Sequence, residues 1–282
     1  MLYVRRDKFR FAFVLLHLSK DQPLCFARHL LQASSPRFRY DKPPYQTPPP
    51  PSPLFLLQFF QKFVCDSIGT ITSANDYFLA EGSTAWGFTT WVLIQNPTTT
   101  PSDVTITYMT PQGAKAQPSF TLPGNSRKTI KVNDMAGMAN TDFCTQVHGA
   151  KPIIAERSMY WNNGTREACH DSIGMDQAHT TFYLPDGQTS GGYETWTLVQ
   201  NPNASAVSVE VSYLKAGGGV ESLTDTIPAN SRKTFKMADK IPSNRASIMI
   251  TSRTPGKKIM VERAMYWNNK GAGTETIGGF SD

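Results

Sequence analysis

Residues 156–163 read Glu-Arg-Ser-Met-Tyr-Trp-Asn-Asn, and residues 262–269 repeat them as Glu-Arg-Ala-Met-Tyr-Trp-Asn-Asn. Further pairs of matching segments occur in the same order: Asp66–Gly69 with Asp171–Gly174, Thr90-Trp91 with Thr195-Trp196, Gln95–Pro97 with Gln200–Pro202, and Asn125–Thr129 with Asn230–Thr234. Trp196 lies 105 residues after Trp91, and Glu262 lies 106 residues after Glu156. Solenoid and propeller repeats are about 20 to 50 residues long. This period therefore indicates a repeated whole domain, with a net one-residue insertion in a loop of the second copy.

The repeat divides the chain into four segments. Residues 66–170 form the first repeat and residues 171–274 the second. Glu275-Thr276-Ile277-Gly278 resembles Asp171–Gly174 and predicts the start of a third, truncated repeat at 275–282. We therefore expect the chain to be part of a longer array whose partners include neighbouring repeats of the same protein.

Residues 1–65 differ from the repeats in composition. They contain no Gly, Glu or Trp, but they hold 9 of the 20 prolines and carry 10 Lys and Arg against 3 Asp and Glu. The remaining residues carry 18 basic and 19 acidic side chains. The net charge of +6 thus comes from the first segment, and the repeats are not expected to bind nucleic acid through a basic surface.

Three interpretations of residues 1–65 remain open. Residues 11–16 are apolar and follow four basic residues, as in a secretory signal, although His17 and Lys20 interrupt the pattern that follows. Lys42 to Pro53 reads as an extended Pro-rich linker. We favour the third interpretation, an out-of-frame or misassigned stretch that is not native to the array and joins it at Cys65-Asp66. The apolar run is too short for a transmembrane helix, which needs about 20 residues.

Both repeats show the period-two alternation of strands that have one buried face. Val104, Ile106 and Tyr108 alternate with polar residues, and the second copy keeps the pattern. Turn signals, including His148-Gly149, separate seven predicted strands in the first repeat: Tyr77–Ala80, Thr89–Gln95, Val104–Met109, Ser119–Leu122, Arg127–Val132, Phe143–Val147 and Ile153–Trp161. The sequence predicts an all-β chain of two tandem immunoglobulin-like antiparallel β-sandwiches behind an irregular Pro-rich N-terminal segment.

Several spaced motifs carry a resemblance to a known kind of domain. They are Tyr77–Thr84, Thr90-Trp91, Gln95–Pro97, Asn125–Arg127, Ala155–Arg157, Met159–Trp161 and His170–Gly174. These motifs resemble an uncharacterised bacterial domain that occurs in tandem in large secreted or cell-surface proteins. The resemblance implies an extracellular, modular role and no mechanism. In the second copy Pro185–Gln188 replaces Ala80–Ser83, which argues against a required role for Glu81 or Ser83.

Two acid-base pairs, Glu156-Arg157 and Glu262-Arg263, lie within apolar strands. Because neighbouring residues of a strand face opposite sides, one charge of each pair is expected at the sandwich interior or at an interdomain surface. A buried charge is costly unless it is hydrogen-bonded. We expect a structural role, with the carboxylate capping backbone amides of a nearby loop or pairing with Arg127 and Arg232.

Four tryptophans recur and are candidates for a ligand or an interface: Trp91, Trp161, Trp196 and Trp267. They could stack on sugars, but Trp86 has Gly191 as its counterpart, so no complete aromatic platform recurs. Packing in the core or at an interface is the favoured interpretation.

The remaining candidates are weaker. Asn162, Asn163 and Asp171 supply oxygen atoms at the junction of the repeats and are calcium candidates, although their spacing matches no known loop. Cys144 and Cys169 are a candidate disulfide pair in an oxidising compartment. No Gly-rich phosphate loop or nucleophile motif is present.

The sequence therefore favours a non-enzymatic extracellular module without cofactor, acting as a spacer, stalk or surface interaction domain of a bacterial protein. Its partners would be neighbouring repeats and a surface polysaccharide or another surface protein. One alternative is a carbohydrate-binding module that tethers an enzyme. The other is a filament subunit whose Asp-Ser-Ile-Gly segment contributes a strand to its neighbour.

Overall fold

A computed structural model describes residues 69, 70, 72–161 and 168–282. The expectations for residues 1–65, for Asp66–Ile68 and for Asn162 and Asn163 fall outside this range. The described chain contains seventeen β-strands and two short 3-10 turns, Val132–Asp134 and Met237–Asp239, and none of it is α-helical. The predicted all-β fold is confirmed.

The first repeat is built from two antiparallel sheets that share its longest strand. Its strands are β1 (Ala74–Leu79), β2 (Thr89–Asn96), β3 (Ser102–Thr110), β4 (Gly113–Ala116), β5 (Phe120–Leu122), β6 (Ser126–Lys131), β7 (Cys144–Trp161) and β8 (Ala168–Ile173). The first half of β7 pairs with β1 and β3, and β3 also pairs with β4 and β5; we call this sheet I. The second half of β7 pairs with β2 and β8, and β2 pairs with β6; this is sheet II.

The second repeat has the same arrangement in two separate sheets. Its strands are β9 (Thr181–Leu184), β10 (Glu194–Asn201), β11 (Val207–Lys215), β12 (Val220–Ile227), β13 (Ser231–Lys236), β14 (Ala246–Ser252), β15 (Met260–Trp267), β16 (Ala272–Ile277) and β17 (Gly279–Ser281). Sheet III has the order β12-β11-β14-β9-β17, and sheet IV has the order β13-β10-β15-β16. The described chain is therefore two antiparallel β-sandwiches in tandem.

The predicted turn at His148-Gly149 is wrong, because β7 runs through this point and passes from sheet I to sheet II. A Cβ on Gly149 would stand 2.6 Å from the carbonyl oxygen of Lys151, so the corner needs a residue without a side chain. In the second repeat a longer connection separates β14 from β15 at the same place. The hydrogen bond from the N–H of Phe143 to the carbonyl of Gly82 is equivalent to the one from Ala246 to Gly187. Phe143 and Ala246 are therefore counterparts, and the offset between the copies is 103 residues just before the corner. The net one-residue change is thus a two-residue deletion followed by a three-residue insertion.

The recurring Gln-Asn-Pro motif has a structural explanation. The side-chain amide of Asn96 donates to the carbonyl oxygens of Thr100, Leu122 and Pro123 at 2.8, 3.2 and 3.2 Å. Asn201 makes the equivalent bonds to Ser205, Ile227 and Pro228 at 2.9, 3.1 and 2.8 Å. Both asparagines are buried, and each ties two loops together through hydrogen bonds to their backbone carbonyl groups.

The Asp-Ser-Ile-Gly segment carries the chain between sheets. Asp171–Ile173 pairs with β7 in sheet II, and Met175 then bridges to Phe78 of sheet I. Its counterpart Glu275–Ile277 pairs with β15 in sheet IV, and β17 continues along β9 in sheet III. Each segment therefore pairs with the last strand of the repeat that precedes it in the chain.

We predict that Gly278→Ala lowers the free energy of unfolding by about 1 to 3 kcal/mol, because the added methyl group overpacks the crossing point. A Cβ at Gly278 would lie 2.6 Å from the carbonyl oxygen of Tyr183 and 2.9 Å from the Leu184 side chain. The next residue is a matched control, since a Cβ on Gly279 meets nothing within 4 Å. Urea unfolding of both variants measures the difference, and equal stability would contradict the steric argument.

Candidate functional site

The main concentration of buried polar groups lies between the two repeats, where one face of sheet IV packs on the end of the first sandwich. Register places Gln200 opposite Arg232 and Leu198 opposite Glu262, so these side chains share that face. All four are buried. The hydrophobic core of the second repeat extends across the contact to include residues of the first: Ala80, Phe88, Met159, Trp161 and Ala168.

Arg157 of the first repeat is the centre of a buried charge cluster. Its Nη1 lies 3.0 Å from Oε2 of Glu262, and its Nη2 lies 3.1 Å from Oε2 of Glu275. The side chains of Arg157 and Glu262 are fully buried. Two charged hydrogen bonds offset part of the cost of removing the guanidinium from water. Both carboxylates come from the second repeat and the segment after it, so the first repeat cannot satisfy this arginine by itself.

Glu262 also binds the backbone of the first repeat. Its Oε1 accepts a hydrogen bond from the N–H of Ala80 at 2.9 Å, and its Oε2 accepts one from the N–H of Glu81 at 3.1 Å. Arg232 does not pair with this carboxylate. Instead, its Nη1 donates to the carbonyl oxygens of Gly82 at 3.0 Å and Phe143 at 2.6 Å. The three-residue loop Ala80–Gly82 is therefore held by an acid and a base of the second repeat.

The cluster perturbs the protonation of its members. Burial raises the pKa of Glu81 to about 7, although Arg157 and Arg232 oppose the shift. Burial and the nearby Glu262 raise the pKa of Glu275 well above its usual value. Burial acts to lower the pKa of Arg157, but Glu262 and Glu275 outweigh it, so the pKa is raised and the guanidinium stays charged. Three carboxyl groups thus lie close to Arg157, and burial favours the neutral acid form of Glu81 and Glu275.

An aromatic cluster closes the same interface. The Trp161 ring contacts His170, Phe88 and Tyr266 at centroid distances of 5.0, 5.3 and 5.4 Å. Its Nε1 donates to the carbonyl oxygen of Lys270 at 2.5 Å, and the hydroxyl of Tyr266 lies 3.1 Å from Nε2 of His170. Burial, followed by repulsion from Arg157, lowers the pKa of His170 well below its usual value, so this imidazole is neutral. These contacts join the two repeats through both apolar area and directed hydrogen bonds.

The other candidate tryptophans lie apart from this cluster. Trp91 and Trp196 are half-buried in sheets II and IV, and Nζ of Lys236 stands 5.4 Å from the Trp196 ring centroid. Trp267, the counterpart of Trp161, stacks on Tyr193 at 5.6 Å and is only half-buried. The structure therefore does not bring the four tryptophans together.

The remaining members of the two acid-base pairs, Glu156 and Arg263, occupy different surroundings. Glu156 is half-buried in sheet II. Arg263 is buried, with Nη1 3.8 Å from Oδ2 of Asp186, the counterpart of Glu81. Burial lowers the pKa of Arg263. Arg157 thus binds two carboxylates between the repeats, whereas its counterpart Arg263 has Asp186 at 3.8 Å.

The calcium and disulfide expectations can be placed only in part. Asp171 is buried in β8, while Asn162 and Asn163 lie outside the described residues. Within the described ranges, no group of three His, Cys, Asp or Glu side chains is arranged to hold a metal ion.

The expected Cys144–Cys169 bridge is wrong, because Cys144 has a free, buried thiol whose Sγ lies 3.5 Å from the Met109 carbonyl oxygen. Burial raises the pKa of this thiol to about 12, so it is not a reactive nucleophile at neutral pH.

Sequence reasoning missed two members of the cluster. The sequence argued against a required role for Glu81, because the loop around it differs in the second copy. Its counterpart there, Asp186, is nevertheless also acidic. Glu275 marks the predicted start of a third repeat, and it aligns with Asp171, another acid. Both positions are acidic in both copies of the repeat, and this shared acidity is the sequence signal that indicates them.

The arrangement supports cohesion between the repeats. Glu81 and Glu262 are buried, and the side chain of Glu275 is 1% exposed, so the three carboxyl groups are closed off from solvent. A carboxyl with a raised pKa is often a general acid, but that role requires contact with the reacting atoms. We instead expect the contact between the repeats to respond to protonation, because burial raises the pKa of Glu81 and of Glu275.

The similarity of this chain to known proteins is weak. No family model and no curated protein matches the sequence. The solved structures that it resembles include protein 1070 of Thermotoga maritima, at 10% identity and a TM-score of 0.35 over 38% of this chain and 97% of that one. The Anabaena sensory rhodopsin transducer follows at 23% identity and a TM-score of 0.27, over 30% of this chain and 95% of that one. A putative secreted protein of Parabacteroides distasonis has 11% identity and a TM-score of 0.18, over 70% of this chain and 83% of that one.

These similarities are too weak to carry an argument about function. A search of the described residues for a helix with the length and apolar character needed to cross a bilayer finds none.

We predict that the contact between the repeats weakens as the pH rises from 5 to 8. Glu81 has a folded pKa of about 7, raised from 4.5, so its contribution is fully present below pH 4.5 and is lost as the pH rises through 7. A shift of this size corresponds to about 3 kcal/mol. Glu81→Gln keeps the shape without the ionisation. The difference in unfolding free energy between wild type and variant should therefore change across this interval, and parallel pH profiles would contradict the assignment.

A second prediction compares arginines at equivalent positions. Arg232→Ala should destabilise the protein by about 2 to 4 kcal/mol, because it removes a charged donor from two buried carbonyl groups. Arg127→Ala should stay within about 0.5 kcal/mol of wild type, since Arg127 is exposed. Chemical denaturation measures both. A similar loss in the two variants would mean that Arg232 does not hold the interface.

Proposed function

We propose that this chain is a non-enzymatic repeat module of a bacterial surface or secreted protein, acting as a rigid extracellular spacer or stalk. The observation that carries the proposal is the buried cluster of Arg157, Glu262 and Glu275, which joins the two repeats through groups that neither repeat satisfies by itself. A flexible pair of domains would more typically show a polar, hydrated contact.

The recurring motifs support the same interpretation. Asn96 and Asn201 tie loops within each repeat. The hydroxyl of Thr90 donates to the carbonyl of Ser83, as the hydroxyl of Thr195 does to that of Gln188. The residues shared by the copies thus maintain the sandwich, which is what a module selected for shape and spacing requires.

The alternatives receive less support from the geometry. A carbohydrate-binding module needs exposed rings in one plane, whereas Trp161 is buried between the repeats and Trp196 lies beneath a lysine side chain. The filament alternative relies on strand donation by the Asp-Ser-Ile-Gly segment. Asp171–Ile173 and Glu275–Ile277 are both paired with strands of their own chain.

The spacer proposal predicts that the two repeats tumble as one body. Nitrogen-15 relaxation of the full chain should give the same rotational correlation time for backbone amides of residues 74–161 and 179–267. Small-angle scattering should give one interdomain arrangement. A variant with weakened docking, Arg232→Ala, provides a control with looser coupling. Distinct correlation times for the repeats of the wild-type protein would overturn the proposal.

The extracellular location needs a separate test. Antibodies raised against the repeats should label intact cells of the producing bacterium, or should detect the protein in its culture medium. Labelling that requires lysis would contradict the surface or secreted assignment.

A further inference from the structure

The first repeat carries a second copy of the face that joins the repeats. Leu93, Gln95, Arg127, Ile154 and Glu156 are the sequence counterparts of Leu198, Gln200, Arg232, Met260 and Glu262. We call this set the open face. It lines an open pocket of about 570 Å³ on sheet II. The second repeat uses the same positions to bind the first repeat, so the chemistry of the open face is that of a protein-binding surface.

The two faces differ in exposure. Gln200 and Arg232 are 0% and 4% exposed because they lie against the first repeat, whereas Gln95 and Arg127 are exposed. In the docked face Arg232 binds two backbone carbonyls, and Gln200 donates to the carbonyl oxygen of Thr145 at 3.4 Å. Arg127 donates to the hydroxyl of Thr129 on its own strand at 2.8 Å. The open face therefore presents the same donors to solvent.

The opposite end of the second repeat offers the complementary surface. Gly187 and Ala246 are joined by the backbone hydrogen bond that joins Gly82 and Phe143 in the first repeat. Leu214 is 41% exposed, while its counterpart Met109 is 1% exposed beneath the docked face. We call this region, with Asp186 and Arg263, the open end.

Arg263 is the second observation that points to a partner. It is 5% exposed, and within the described residues its Nε and Nη1 have no hydrogen-bond acceptor. The carboxylate oxygen nearest to Arg263 is Oδ2 of Asp186, which at 3.8 Å is too far for a hydrogen bond. The counterpart Arg157 binds Glu262 of the next repeat and Glu275 of the segment that follows it. Buried N–H groups without acceptors are costly, and a carboxylate from a docking partner would relieve that cost.

The geometry points to a second copy of this chain as the partner, with its open face docked on the open end of the first copy. Arg127 of one copy would donate to the carbonyl oxygens of Gly187 and Ala246 of the other, and Glu156 would bind Arg263 and the N–H of Asp186. Pro185 stands where Ala80 donates to Glu262, so this contact has one hydrogen bond fewer and is weaker than the internal one. The inference deepens the proposed spacer function by naming its partner, and it rests on that function.

A second copy fits because the chain already contains the complex. Each copy carries one open face and one open end. When the two surfaces meet, Glu156 faces Arg263, and Arg127 faces the carbonyl groups of Gly187 and Ala246. The two surfaces are different, so the contact is heterologous and joins copies head to tail instead of forming a dimer with one shared patch.

Sedimentation velocity of the full chain tests this inference between about 5 and 500 µM, which covers the micromolar affinities of weaker specific interfaces. The wild type should form dimers and longer species as the concentration rises. Arg127→Glu disables the open face and Leu214→Lys disables the open end. Both residues are exposed, so the fold should survive. Each variant alone should associate at least about tenfold more weakly. Arg253→Ala, at an exposed ion pair with Glu210, should associate like the wild type.

The mixture of the two variants gives the most specific result. Arg127→Glu retains an open end and Leu214→Lys retains an open face, so an equimolar mixture should form 1:1 dimers and nothing longer. A wild type that stays monomeric throughout would overturn the inference, as would association that neither variant reduces or a mixture that forms long species. Relaxation measurements on the monomeric Arg127→Glu variant test the rigid spacer separately, so failure of association and failure of the spacer proposal are distinguishable.

Discussion

The arrangement of the two repeats depends on the need to neutralise one buried cation. Arg157 lies in the interior of the contact, where its charge is uncompensated until Glu262 and Glu275 arrive. Removing one partner of a buried ion pair typically costs about 3 to 5 kcal/mol, whereas the intact pair adds little net stability. The cluster therefore favours one relative placement of the repeats by making others costly. Hydrophobic contact through Trp161 and Tyr266 supplies non-directional attraction, and the ion cluster supplies the register.

The same repeat position acquires different properties from its surroundings. Arg127 and Arg232 occupy equivalent strands and motifs, yet one is exposed and the other anchors two carbonyl groups. Glu81 and its counterpart Asp186 differ in the same way. Glu81 is buried and its pKa is raised to about 7, whereas the side chain of Asp186 is largely exposed. Duplication thus provides two copies of each surface, and contact between neighbours buries one copy and leaves the other available.

The strands were predictable because alternation is a local property. Val104, Ile106 and Tyr108 face the core as their spacing indicates, and the seven predicted strands of the first repeat lie largely within observed ones. The corner at Gly149 was not predictable, because a strand that changes sheets resembles a turn in its sequence. The boundary segment was also ambiguous. Asp171–Ile173 starts a repeat in the sequence, but it pairs with the last strand of the preceding sandwich. Pairing depends on contacts with strands that are distant in the sequence, which a local pattern does not specify.

The sequence by itself determined the duplication, the all-β fold, the alternating core and the presence of a charged pair within an apolar strand. It also favoured structural roles for the recurring residues. Only the tertiary structure decided which copy of a duplicated position is buried, as with Arg232 and the exposed Arg127. It also decided that Glu81 and Glu275 lie close to Arg157 and that Cys144 keeps a free thiol. The physical reason is that periodicity records which side of a strand a residue faces. Its partner across an interface is distant in the sequence, by 105 and 118 positions for the two carboxylates that bind Arg157, and only the packing of whole domains brings them together.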